Sequence, residues 1–149
     1  MSLGIYSSPN PSSIFSIDGT FTNPIRMSFN GTTGTTKIFK YWLRNSNDET
    51  SFTDITITPV SLDIPNLVDG TNGFGWKLIA GDTLPTEDAW DDVDYGDPIT
   101  MADIGDPDTE DGETYTYLPF YVRVEVPRGS EISTYQNVTI RVEALENPF

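Results

Sequence analysis

The chain has 149 residues, a formal charge of −15, and neither cysteine nor histidine. Its length suits one domain that buries a core without staples, and the missing residue types exclude disulfides, thiol catalysis, histidine acid–base chemistry and the usual zinc sites. The acidic balance repels nucleic acid and anionic lipid, so neither is expected as a partner. It favours basic partners or divalent cations, or keeps a concentrated protein soluble.

Residues 1–13, with two prolines and five serines, read as an extended arm or a frayed terminus ahead of a single domain over 14–149. As an arm docked on a neighbour, it would be anchored by Ile5 and Tyr6. The stretch lacks the basic region and apolar core of a secretion signal. The absence of cysteine points to assembly in a reducing compartment.

FTNPIRMSFN predicts a first strand with Ile25, Met27 and Phe29 on one face and Pro24 at its start or on an edge. Asn30-Gly31 opens NGTTG, a hairpin turn signal. TTKIFKYWLRN is a longer strand. Phe39, Tyr41 and Leu43 share one face, while Ile38, Lys40, Trp42 and Arg44 share the other, where long cationic stems can lie over Trp42.

Asn45-Ser46-Asn47-Asp48 marks a turn. FTDITITPV is a strand with Ile55 and Ile57 inward and Asp54, Thr56 and Thr58 outward, limited by Pro59. FGWKLIAG follows with Phe74, Trp76 and Leu78 on one face.

TLPTEDAWDDV predicts a short helix capped by Thr86. Glu87 and Asp88 sit in the first turn, and Trp90 is spaced for a staple with Pro85. Such a helix is expected to plug one open end of the sheets. An acidic segment from Asp97 to Thr116 leads to two last strands, whose apolar rows are Phe120, Val122, Val124, Val126 and Val138, Ile140, Val142, Ala144. The sum is an all-β, antiparallel, immunoglobulin-like sandwich of six to seven strands with one short helix. Sequence neighbours are expected to pair often as hairpins. If the last two strands were neighbours, Arg123, Glu125, Arg141 and Glu143 would pair across them.

Catalytic signals are weak. Glu87, Asp88, Asp91, Asp92, Asp94 and Asp97 are carboxylates of the kind that hydrolyse glycosides, but they lie in a like-charged, hydrophilic run that favours solvation over a tuned pair. No phosphate-cradling glycine motif occurs, so no nucleotide site is expected. Asp106, Asp108, Glu110 and Asp111 carry hard oxygen ligands for calcium. The run breaks the EF-hand pattern at positions six and twelve, and a loop held outside the core by its own charge is the simpler account. Trp42, Trp76 and Trp90 could form a sugar-stacking platform, although the patterns around Trp76 and Trp90 favour packing. No cofactor is expected.

Several strings resemble, in their layout, bacteriophage virion proteins that carry an immunoglobulin-like sandwich, as in capsid, neck and tail accessories. They are FTNPIRMSFNGTTG, KYWLRNSNDE, GWKLIAGD with PTEDAWDDV, and YLPFYVRVEVPRG with NVTIRVEAL, spread over residues 21–145. The resemblance implies a non-enzymatic structural subunit, made in a host cytoplasm and residing in a virion. It implies self-association or docking on a major virion protein, and carries over no catalytic residue. The expected contact is an edge strand, the helix region or the amino-terminal arm. Lys37, Lys40, Trp42 and Arg44 form a candidate basic strip for acidic residues of a neighbouring copy, with 87–97 as the candidate acids.

Overall fold

The computed structural model describes residues 3–6, 14–16, 35–45, 50–61, 67–70, 73–104, 117–127 and 138–148. The strand expected over 21–30, the NGTTG turn and most of the acidic segment after Ile104 lie outside the described residues. Eight strand segments and one helix follow in order: β1 (Leu3–Tyr6), β2 (Ile14–Ser16), β3 (Thr35–Asn45), β4 (Thr50–Ser61), β5 (Gly75–Ala80), α1 (Glu87–Asp91), β6 (Ile99–Thr100), β7 (Tyr117–Val126) and β8 (Val138–Pro148). They form a sandwich of two antiparallel sheets, one ordered β2-β1-β3-β7-β5 and the other β6-β4-β8. The all-β, immunoglobulin-like layering and the short helix are as the sequence predicts.

The connectivity is not. From β3 to β8 the described strands alternate between the sheets at every step, and among consecutive described strands only β1 and β2 pair. From β3 onward, crossovers thus join consecutive described strands where hairpins were expected. β7 lies between β3 and β5, whereas β8 pairs with β4 in the opposite sheet. Arg123 and Glu125 consequently cannot pair with Arg141 and Glu143; within each strand Arg123 approaches Glu125 and Arg141 approaches Glu143 instead.

The inner faces follow the two-residue period. Leu3, Ile5, Tyr41, Leu43, Leu78, Phe120, Val122 and Val124 line one side of the core. Phe52, Ile55, Ile57, Met101, Ile104, Ile140 and Val142 line the other. Each large aliphatic or aromatic side chain buried here contributes about 1.5–3 kcal/mol of transfer free energy. Phe52 and Ile55 are an odd number of residues apart, yet both are fully buried. A bulge between Thr53 and Thr56, with Asp54 at φ 51°, resets the phase of β4. β4 also runs through Pro59, which pairs with Ile140, rather than stopping there. Pairing with β6 covers Thr56 and Ile57 alone, so at Pro59 β4 is paired with β8 on one side only among the described strands, and such an edge position tolerates a residue without an N–H.

The crossover from β3 to β4 is tied by Asn45, a buried polar residue whose Nδ2 donates to the Thr50 carbonyl at 2.8 Å. Leu3–Tyr6 pairs along β3, with Ile5 opposite Leu43 and Tyr6 opposite Trp42, and Ile5 is fully buried. These four residues of the expected arm are thus a strand of the chain's own sheet. The apolar pair Leu3 and Ile5 completes its inner face.

Candidate functional site

The outer face of the five-stranded sheet carries the densest chemistry among the described residues. It arises from the second phase of the strands that build the core. On β3, Ile38, Lys40, Trp42 and Arg44 alternate with the inward Phe39, Tyr41 and Leu43. On β7, Tyr121, Arg123 and Glu125 alternate with Phe120, Val122 and Val124. Register then aligns Lys40 with Tyr121 and Ile79, and Ile38 with Arg123 and Lys77.

Cations and rings interleave across this face. Lys40 Nζ lies 5.0 Å from the Trp42 ring centre and 5.5 Å from that of Tyr121. The Arg44 guanidinium lies 5.6 Å from the Tyr6 ring, and its Nη1 donates to the Tyr6 hydroxyl at 3.5 Å. Lys77 Nζ sits 4.6 Å from the Tyr95 ring, and Arg123 lies 6.0 Å from that of Trp90. Such contacts strengthen as water is excluded.

The segment from Gly81 to Gly96, with α1 at its centre, lies over the β5–β7 half of this face. The helix begins as the sequence predicts, with the Ala89 N–H donating to Thr86 Oγ1 at 3.2 Å. It does not plug an end of the sandwich. It sets Trp90, 1% exposed, against the sheet. Lys77 Nζ donates to the Trp90 carbonyl at 3.0 Å, placing a cation at the helix carboxyl end, where orphan carbonyls and the dipole favour it. Arg123 Nη1 meets Glu87 Oε2 at 3.0 Å near the other end.

Two further ties hold the segment. Asp82 forms an ion pair with Lys40, and its carbonyl accepts from Lys40 Nζ at 3.2 Å and from the Tyr121 hydroxyl at 3.0 Å. The bond to the Asp82 carboxylate raises the Lys40 pKa above the ordinary lysine value. Tyr95 lies against Gly70 and Gly75, where a Cβ on either would overlap its ring. Hydrogen bonding to the Glu125 carboxylate, and secondly burial, raises the Tyr95 phenol above its ordinary range.

The residues predicted as an interface are thus divided. Tyr6, Lys40, Trp42 and Arg44 come together on this outer face. Ile5 points into the core, and Lys37 is exposed near the start of β3, in the phase opposite to Lys40. The basic strip has acceptors inside its own chain: Lys40 meets Asp82, and Glu87 of the candidate acidic stretch meets Arg123. The calcium candidates Asp106, Asp108, Glu110 and Asp111 lie outside the described residues. Of the tryptophans, Trp76 packs against the core, Trp90 is buried beside Arg123, and Trp42 is half-buried.

Asp82 and Tyr95 were not singled out by sequence reading, because their partners lie far along the chain and no local pattern marks them. Arg123 was legible as an outward residue of β7, but its place beneath Glu87 was not.

Chemically, this surface is a clamp. Lys40, Arg44, Lys77 and Arg123 each engage groups of their own chain. No carboxylate is fully buried among the described residues, where Asn45 and Thr50 are the buried polar side chains. No described cluster of acidic side chains is arranged to hold a metal ion. No described helix is long and apolar enough to cross a membrane. Comparison of the chain with protein-family models, curated proteins and solved structures returns no match.

Proposed function

We propose that the chain is a non-enzymatic structural subunit or accessory of a phage particle, working through protein–protein assembly with itself or with a major virion protein. The observation that carries this reading is the occupation of the outer face. Its cations and rings hold the Gly81–Gly96 segment on the sheet, so they serve packing within the subunit. A sandwich stiffened in this way is suited to present edges and faces to other proteins, and its charge of −15 keeps the free subunit soluble before assembly. The layout resemblance to virion sandwiches supplies the particle. The subunit is made in the host cytoplasm and resides in the virion.

Light scattering after size exclusion, across protein concentration and with or without calcium, tests the reading. A defined oligomer independent of calcium supports it. A strict monomer narrows it to an accessory that docks on a preformed particle. Oligomers formed only with calcium replace it with a calcium-dependent assembly centred on residues 106–111.

A further inference from the structure

β8 is one margin of the three-stranded sheet. It pairs with β4, and among the described residues nothing pairs with its other side. The other terminal strands of the two sheets are short or bordered. β2 and β6 have three and two residues. β5 is flanked by Asp69, which bridges Gly75, by the Val68 carbonyl, which accepts from the Trp76 N–H, and by the Gly96 N–H, which donates to the Trp76 carbonyl. β8, by contrast, is an eleven-residue strand without proline before Pro148. A long edge of that kind is a template for another strand unless something blocks it.

Its sequence is self-complementary about Val142. A second copy related by a two-fold axis perpendicular to the sheet runs antiparallel and keeps every side chain on its own face. Opposed residues therefore match only when the register is centred on a residue. Centred on Val142, Arg141 opposes the partner's Glu143, and Glu143 opposes the partner's Arg141. On the inner face Val142 meets its own copy and Ile140 meets the partner's Ala144, extending an apolar row that already belongs to the core.

A shift of the centre by one residue in either direction sets like charges face to face, Arg141 on Arg141 or Glu143 on Glu143. Both side chains are exposed, and within one chain they stand 3.7 Å apart, so the paired strands would carry four alternating charges. Leu145, 55% exposed, lies on the same outer face within the paired stretch.

We propose that a second copy of this chain pairs with β8 in the antiparallel register centred on Val142, joining two three-stranded sheets into one of six strands. The inference rests on the assembly reading above and specifies its contact.

Because the natural chain has no cysteine, the register is open to a mixing experiment on the full chain. Arg141→Cys and Glu143→Cys variants are oxidised separately and together. The proposed register sets these two positions opposite one another, while each stands two residues from its own copy, too far for a disulfide. Disulfide between the two variants, with little in either alone, is the expected result.

Sedimentation velocity on charge reversals gives the second readout. Arg141→Glu and Glu143→Arg each weaken the dimer by at least about tenfold, and the double reversal restores it to within about threefold. Circular dichroism verifies that each variant is folded. A dimer indifferent to both reversals, or the absence of the mixed disulfide, overturns the β8 pairing and leaves assembly through another surface standing. A chain monomeric at every concentration overturns it too, and is distinguished by the loss of all self-association.

Discussion

The guanidinium of Arg123 lies 6.0 Å from the centre of the Trp90 ring, joining the middle of β7 to a helix more than thirty residues earlier. Arg123 also reaches Glu87 at the start of that helix, while Trp90 is its one buried side chain. A helix of five residues is far too short to persist alone, so it survives through this contact. Trp90→Ala should cost about 3–5 kcal/mol, as expected for a large side chain removed from a packed site. Glu87→Gln should cost less than about 1 kcal/mol, because its carboxylate is largely exposed. Urea unfolding of the two variants compares the effects directly, and equal losses would contradict the assignment of the anchor to the ring.

Gly75 is required by the ring of Tyr95. A methyl group there overlaps the ring, so Gly75→Ala should destabilise by about 1–3 kcal/mol. Gly75 is not among the glycines with positive φ, so the cost is steric rather than conformational. A double-mutant cycle isolates this. The penalty for Gly75→Ala should largely vanish in a Tyr95→Ala background, and an unchanged penalty there would refute the steric account.

Stability should fall in alkali. Burial in the core pushes the Tyr41 phenol well above its ordinary pKa, and the Glu125 hydrogen bond raises Tyr95. The native state then retains protons that the unfolded chain loses above pH ~10. The stabilisation is fully present below that value and is lost as pH rises through the native pKa of each group. The slope is at most ~1.4 kcal/mol per pH unit for the buried Tyr41 phenol, and the more exposed Tyr95 contributes less. Lys40, also raised, acts with the same sign. Tyr41→Phe should make the decline above pH 10 shallower without abolishing it, as measured by denaturant midpoints between pH 8 and 11.

Asp54 occupies the bulge of β4 with φ 51°, a left-handed conformation that costs most L-residues about 1–2 kcal/mol. Its side chain is exposed. Asp54→Gly should be neutral or stabilising, whereas Asp54→Val should cost about 1–2 kcal/mol or more. Thermal melts of the pair test this. If valine were tolerated as well as glycine, the bulge would not depend on that backbone conformation.

Much of the inward-facing set was legible. The alternation in TTKIFKYWLRN and YLPFYVRVEV assigns Tyr41, Leu43, Phe120, Val122 and Val124 to the core, and all are buried. The Thr86 cap was legible because a capping oxygen acts within three residues of its own position. Phe52 was not, because strict alternation in β4 places it opposite in phase to Ile55 and only the bulge reconciles them. Pro59 misled for a related reason: it limits a strand only where its nitrogen must donate. On the outer face, the row Lys40, Trp42 and Arg44 was legible as a surface. Asp82, which ties it to the Gly81–Gly96 segment, was not, since the ion pair spans forty-two positions.

By itself the sequence determined an acidic all-β chain with two-faced strands, one capped helical turn and no thiol or imidazole chemistry, because period, capping and composition act locally. Tertiary structure alone decided which sheet each strand joins. Both inner faces of a sandwich demand the same two-residue apolar period, so the pattern in β7 and β8 is equally compatible with a hairpin and with strands in opposite layers. Pairing along β3 and β5 for one strand, and along β4 for the other, separates them. That separation sends Arg123 to the helix and leaves Arg141 and Glu143 on a free-standing edge among the described residues.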